Sequence, residues 1–147
     1  MFKHILTPTD GSPTAAKAVE RGVELAKQLG ARVTGYHACE PPHARVYGDG
    51  YMIGPRDASV SVGQAREAGE KAVGLIAAAA NAAGVPFERM VVEAEAAYRG
   101  IIDAATVRNC DAIFMASHGR SSLAELMLGS VTHQVLAHSK IPVLVYR

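Results

Sequence analysis

Apolar and polar positions along the chain alternate between two periods. Phe2 to Pro8 is a short apolar run that closes in Thr9-Asp10-Gly11-Ser12, the pattern of a buried strand running into a turn. Ser12 followed by Pro13 predicts a helix N-cap with proline at the first helical position. Ala16, Val19, Val23 and Ala26 then recur at helical spacing until Gly30 supplies a stop. Arg32 to Cys39 reads as a second strand. From Glu40 to Ala58, Pro41-Pro42, Gly48-Asp49-Gly50 and Gly54-Pro55 predict irregular structure. A loop of about nineteen residues exceeds the usual connection in a compact domain and has the character of a lid. Ser59 to Ala83 is alanine-rich, with Val62, Ala65, Ala72, Leu75 and Ile76 marking a helix that ends at Gly84-Val85-Pro86. A strand over Phe87 to Glu93, a helix over Ala97 to Asn109 and a strand over Asp111 to Ala116 follow. After a glycine-bearing loop come a helix over Ser130 to His138 and a last strand over Pro142 to Tyr146.

Strands that alternate with helices imply a parallel sheet covered on both faces and joined by right-handed crossovers. The predicted fold class is α/β: a single doubly wound domain, residues 1–147, with a five-stranded parallel sheet in the order 3-2-1-4-5. The length of 147 residues, 49% of them apolar, suits one compact domain with a substantial core. A formal net charge of +1 and 5% aromatic residues without tryptophan offer neither a basic stripe nor stacking platforms, so nucleic acid is not an expected partner. No apolar stretch reaches the roughly 18 residues needed to span a bilayer, and Met1-Phe2-Lys3-His4 does not resemble a signal peptide, so no membrane and a cytoplasmic location are expected. Cys39 and Cys110 lack paired or clustered spacing and read as reduced structural thiols.

The candidate chemistry lies in Ala116-Ser117-His118-Gly119-Arg120 and Leu128-Gly129-Ser130-Val131-Thr132, which follow a strand and open a helix. Gly119 and Gly129 let backbone approach a bulky anion, and Ser130 and Thr132 place hydroxyls beside the unpaired N–H groups of a helix N-terminus. In the order 3-2-1-4-5, strands one and four end side by side at the switch point where doubly wound folds bind ligands. Asp10 and the loop from Ala116 then line one crevice. Asp10 also suits a turn or helix-capping role. His118 fits a turn or packing role better than a phosphate contact, and His133 and His138, five residues apart, do not share a helix face as metal ligands would and suit surface positions.

Four segments resemble the universal stress proteins: Ile5-Leu6-Thr7-Pro8-Thr9-Asp10-Gly11-Ser12, Asp111 to Arg120, Leu128-Gly129-Ser130-Val131 and Ile141-Pro142-Val143-Leu144-Val145. The resemblance spans nearly the whole chain. It implies a nucleotide-binding regulatory protein of the ATP-binding subgroup, usually homodimeric. Its loop pattern is Gly, two residues, Gly, nine residues, Gly, then Ser or Thr. Gly119, Gly129 and Ser130 fit, whereas Ala116 stands at the first glycine. A positive φ there would cost an alanine on the order of 1 kcal/mol, while a negative φ leaves its methyl to crowd the nucleotide. Carried over by position, the resemblance implies Asp10 on adenine or ribose with Pro8 and Thr9 beside it. Ala38 packs on the base, Met115 and Ala116 complete base and sugar contacts, and Gly119, Arg120, Gly129, Ser130, Val131 and Thr132 surround the phosphates. Arg120 fits a solvated surface position equally well.

Three function classes follow. The first is a regulatory stress-response protein that binds ATP, AMP or ADP, with Mg or Mn carried by the phosphates, and signals to a protein partner through its occupied state. The second is at most a slow ATPase, since the chain has no GxxxxGK[ST] and no evident cluster of Mg²⁺-binding carboxylates. The third is an interaction module that has lost its nucleotide, in line with Ala116. The last strand would lie at a sheet edge, and pairing there with its own copy predicts a homodimer.

Overall fold

Strand and helix alternate throughout the residues that the computed structural model describes, 1–40, 55–118 and 128–147, with backbone alone for 55–61. The elements are β1 (His4–Pro8), α1 (Pro13–Leu29), β2 (Arg32–Cys39), α2 (Pro55–Ala83), β3 (Phe87–Glu93), α3 (Ala97–Val107), β4 (Ala112–Ala116), α4 (Ser130–His138) and β5 (Val143–Tyr146). All five strands are parallel, in the order β3-β2-β1-β4-β5. The doubly wound fold expected from the alternation is the one observed.

Local chemistry explains where elements start and stop. The Ser12 hydroxyl accepts the Ala15 N–H at 3.2 Å, and Pro13 follows with no N–H to satisfy. Gly30 closes α1 at φ 62°, a conformation costly for any residue with a Cβ. Pro55 to Ala58, expected in the long loop, belong instead to α2. Pro55 is tolerated because the first turn of a helix has no intrahelical use for its missing N–H. The rest of that expected loop, 41–54, lies outside the described residues. Helix α3 ends at Val107 and not at Asn109, which adopts φ 52° just beyond the C-cap Arg108. Strands β4 and β5 each begin one residue later than Asp111 and Pro142.

Successive side chains on each strand face opposite layers. Ile5, Val33 and Phe114 pack with Val19, Val23, Ile76 and Ala80 beneath α1 and α2. Leu6, Tyr36, Ile113 and Met115 pack with Ile101, Ala104 and Val135 beneath α3 and α4. Ile5 and Leu6 are both fully buried, which contributes about 2 kcal/mol each and fixes the register of the central strand. Strand β1 starts its hydrogen bonding outside the sheet proper, because the Asp111 carboxylate accepts the N–H groups of Lys3 at 2.7 Å and His4 at 3.0 Å. Cys39 and Cys110 are both buried free thiols. Among the described residues, no helix is long and apolar enough to cross a membrane.

Candidate functional site

From β1 the chain winds one way to β2 and β3, then crosses to the other side of β1 for β4 and β5. The C-terminal ends of β1 and β4 therefore diverge into a crevice, which opens as a cavity of about 460 Å³. Pro8, Thr9 and Asp10 line it from β1, Ala38 from β2, Met115 and Ala116 from β4, and Gly129, Ser130, Val131 and Thr132 from the start of α4. Gly119 and Arg120 lie outside the described residues.

The β1 end is held by its own hydrogen bonds. Thr9 donates its N–H to the Tyr36 carbonyl at 2.9 Å, and its hydroxyl accepts the Gly11 N–H at 3.1 Å. Asp10 accepts the Ser12 N–H at 2.9 Å, so it serves the turn that starts α1 while it lines the cavity. His37 lies 2.8 Å through Nδ1 from the Thr9 carbonyl, which can only accept. Its Nδ1 therefore carries the proton and the ring braces the β1 turn against β2.

The β4 end is joined to α4 just as closely. The Gly129 N–H donates to the Ser117 carbonyl at 2.8 Å, and the buried Thr132 hydroxyl donates to the Ala116 carbonyl at 2.9 Å. A Cβ on Gly129 would sit 3.0 Å from the His118 Cα and 3.3 Å from the Ser117 carbonyl oxygen. Gly129 has φ −61°, so this position calls for glycine through close backbone approach and not through dihedral freedom. Ala116 ends a regular strand, and Asn109 alone among the described non-glycine residues has a positive φ. Ala116 thus carries no backbone strain; it is buried with Phe114 in the core beneath α1 and α2 and also lines the cavity.

Helix N-termini bring backbone donors to the cavity, while Asp10 and Glu40 place two carboxylates on its lining. Ala15, Ala97 and Ser130 to Thr132 bring the N-terminal turns of α1, α3 and α4 to its wall. Neither Ala96 nor Gly129 caps its helix with a side-chain hydrogen bond. The first intrahelical bond of α4 runs from the His133 N–H to the Gly129 carbonyl, so the N–H groups of Ser130, Val131 and Thr132 precede it. With the exposed Ser130 hydroxyl these form a donor set suited to phosphate, and Asp10 supplies an acceptor at the opposite side. Among the described residues, no group of three His, Cys, Asp or Glu side chains is set to hold a metal ion.

Several cavity residues escaped the sequence-based selection, among them Tyr36 and Glu40. His37 and Cys39 flank Ala38, and His118, assigned to a turn or packing role, lines the cavity with its Nδ1 2.9 Å from the Ser117 hydroxyl. The available signal was position: any residue in the last turn of a strand at the C-terminal edge can reach the crevice. His133 and His138 are exposed, as expected.

The fold and its crevice define a class of doubly wound proteins with a cavity at the switch point, walled by helix N-termini. The universal stress protein family model matches residues 1–147, and the chain belongs to that family. Universal stress protein YxiE of Bacillus subtilis is 30% identical over 149 residues, covering 100% of both chains. The solved structure of MJ0577, a protein of Methanocaldococcus jannaschii, is 28% identical with a TM-score of 0.78, over 99% of this chain and 95% of that one. A universal stress protein solved in complex with cAMP shares the fold at 24% identity and a TM-score of 0.70, over 99% of this chain and 97% of that one.

Proposed function

We propose that this chain is a nucleotide-binding regulatory stress-response protein that takes ATP at the switch-point cavity and acts through its occupied state. The observation that carries this reading is the convergence of Asp10 and the uncapped N-terminal turn of α4 on one cavity, 460 Å³ in volume. Asp10 suits the hydroxyls of a ribose, Ala38 and Met115 suit the base, and the N–H groups of Ser130 to Thr132 suit phosphate. Gly119 and Arg120 would extend the phosphate cradle. A divalent Mg or Mn would ride on the phosphates, since hard cations of this kind bind readily through phosphate oxygens and few protein carboxylates. The complex of a same-fold protein with cAMP supports an adenine nucleotide as the ligand class.

The direct test is chromatography of what purified protein releases on denaturation. ATP, ADP or AMP in near-stoichiometric amount is the expected result, and a protein that carries none and shows no calorimetric response to any of them is an interaction module. Turnover is expected far below that of metabolic kinases, and a rate in their range would replace the regulatory reading with an enzymatic one.

The working unit we propose is a homodimer. Strand β5 lies at the sheet edge beyond β4, and Val143 to Tyr146 remain only half-buried within one chain. A two-fold axis would let this edge pair antiparallel with its copy. Light scattering should give a dimeric mass that falls to the monomer in Val143→Lys or Val145→Lys with the circular dichroism spectrum retained. A monomer at micromolar concentration would refute the assembly.

A further inference from the structure

The N-terminal edge of the sheet holds a buried titratable group that the proposed nucleotide site does not use. His4 opens β1 with only 3% of its surface exposed. Its Nε2 lies 2.7 Å from the Thr34 hydroxyl on β2, and its Nδ1 is buried with no hydrogen-bond partner among the described residues. The Arg108 backbone at the end of α3 faces the ring without completing a bond to Nδ1. A neutral imidazole carries one proton, so these surroundings suit the tautomer that donates from Nε2 to Thr34 and leaves Nδ1 bare. They do not suit the imidazolium, which has an N–H on both nitrogens.

The turn that joins α3 to β4 is fastened beside this ring. Arg108 caps α3, and Asn109 follows at φ 52°, the left-handed conformation that costs most side chains and that asparagine tolerates better than others. Asp111 then ties the turn to the start of β1: its carboxylate accepts the N–H groups of Lys3 and His4, and its own N–H donates to the His4 carbonyl at 2.9 Å. Charged groups face the ring from three elements: Arg32 on β2, Glu88 on β3 and Asp111 ahead of β4. Glu88 is shared between Arg32 and Arg108, and Asp111 is engaged by two N–H groups, so both carboxylates already have partners. The Cys110 thiol, pushed up to about 11 chiefly by burial, stays neutral. Burial and the Arg32 charge outweigh the two carboxylates and lower the pKa of the ring from 6.5.

We propose that His4 is a proton-operated latch on the turn 108–111, which stays fastened to β1 while the ring is neutral and swings open when the ring takes up a second proton. The added N–H on Nδ1 finds no acceptor in the closed arrangement, and a buried cation beside Arg32 is relieved by reaching water. The way to water is short, because Lys3, Arg108 and Asn109 around the ring are all exposed. Opening frees Asp111 from the Lys3 and His4 N–H groups and uncovers Cys110 without parting the rest of the sheet. The sign follows from the lowered pKa: opening grows as pH falls below 6.5, the value of the solvated ring, and levels off below the native value. Asp111, held below 3.8, stays ionised throughout. The latch rests on the N-terminal edge alone and is independent of nucleotide in the crevice.

Amide hydrogen exchange of the full-length ¹⁵N-labelled chain, corrected for the intrinsic pH dependence of exchange, reads the latch. The Lys3, His4 and Asp111 amides should be at least about tenfold less protected than those of Val33 and Ile113, which are bonded inside the sheet, because the turn opens without the sheet. Their protection should fall by up to about tenfold per pH unit below pH 6.5, the slope of one proton taken up on opening. His4→Gln, which cannot take the second proton, should keep the closed turn and lose that slope. The ¹⁵N shifts of the His4 ring give a check that needs no variant: the ring should change charge over the interval in which the turn opens. Protection at Lys3, His4 and Asp111 that equals that of Val33 and Ile113, or that is flat between pH 7.5 and pH 5, would overturn the latch. So would an equal slope in His4→Gln, or a ring that stays neutral while the turn opens.

Discussion

The two ends of the parallel sheet meet the same supply of polar groups and use it differently. At the N-terminal end, polar side chains are spent on the chain itself. Asp111 takes the N–H groups of Lys3 and His4, His4 lies 2.7 Å through Nε2 from the Thr34 hydroxyl, and Glu88 stands 3.6 Å from both Arg32 and Arg108. At the C-terminal end, helix N-termini converge on a cavity with N–H groups ahead of their first intrahelical bonds. The chain direction dictates this asymmetry: in a doubly wound fold every crossover helix points its positive end at the same edge of the sheet. One end can therefore close on itself, and the other keeps backbone donors turned toward an open cavity.

The sharpest challenge to that division is Gly129→Val. Its side chain would press on the backbone of Ser117 and His118, driving the start of α4 away from the end of β4. Nucleotide affinity should fall on the order of 100-fold, the strain of overpacking a tight backbone contact. Calorimetry checks it, with circular dichroism confirming the fold. Unchanged affinity would remove this turn from the site.

At the opposite end, Asp111→Ala should cost about 1–2 kcal/mol in urea denaturation and leave nucleotide affinity unchanged, because it strands two N–H donors. Partial burial works to raise the Asp111 carboxyl, but the N–H groups of His4 and Lys3 outweigh it and hold the group below its usual 3.8. Its contribution is therefore complete above pH 3.8 and is lost as pH falls through the lower native value. A loss of nucleotide affinity in this variant would mean that the two ends are coupled.

A smaller effect comes from His4, whose pKa burial and the Arg32 charge lower from 6.5. Below pH 6.5 the unfolded chain takes up a proton that the native chain resists, so stability should decline as pH falls. His4→Gln should flatten that decline, and an equally steep slope in the variant would clear His4 of it. The smallest expected change is in Ala116→Gly, which should keep nucleotide affinity or improve it a few-fold by removing one methyl from the cavity lining. A marked loss would show that the methyl contributes to the site.

Much of this was legible in the residues alone. Ser12-Pro13 and Gly30 delimit α1 by local chemistry, and period alone separates β1 from α1. The 3-2-1-4-5 order made Asp10 and the Gly129 turn neighbours before any coordinates did. Pro55 misled because proline both breaks a helix and begins one, and only the chain beyond it decides which. The role of Gly129 was legible in kind but not in cause, since a contact with Ser117 and His118 depends on tertiary approach. His37 was missed for the same reason: its bond to the Thr9 carbonyl spans 28 positions.

The clasp at Asp111 bears on the order in which the molecule is built. Strand β1 is made first yet lies at the centre of the sheet, with β2 on one side and β4 on the other. During synthesis it can pair with β2 early, but its second edge stays open until residues 111–113 have left the ribosome. The central strand thus waits for a partner more than a hundred positions downstream, the kind of long-range pairing that slows folding. The crevice, which needs β4 beside β1, is among the last features to form, so the nucleotide proposed for it would mark only chains in which β4 has joined β1.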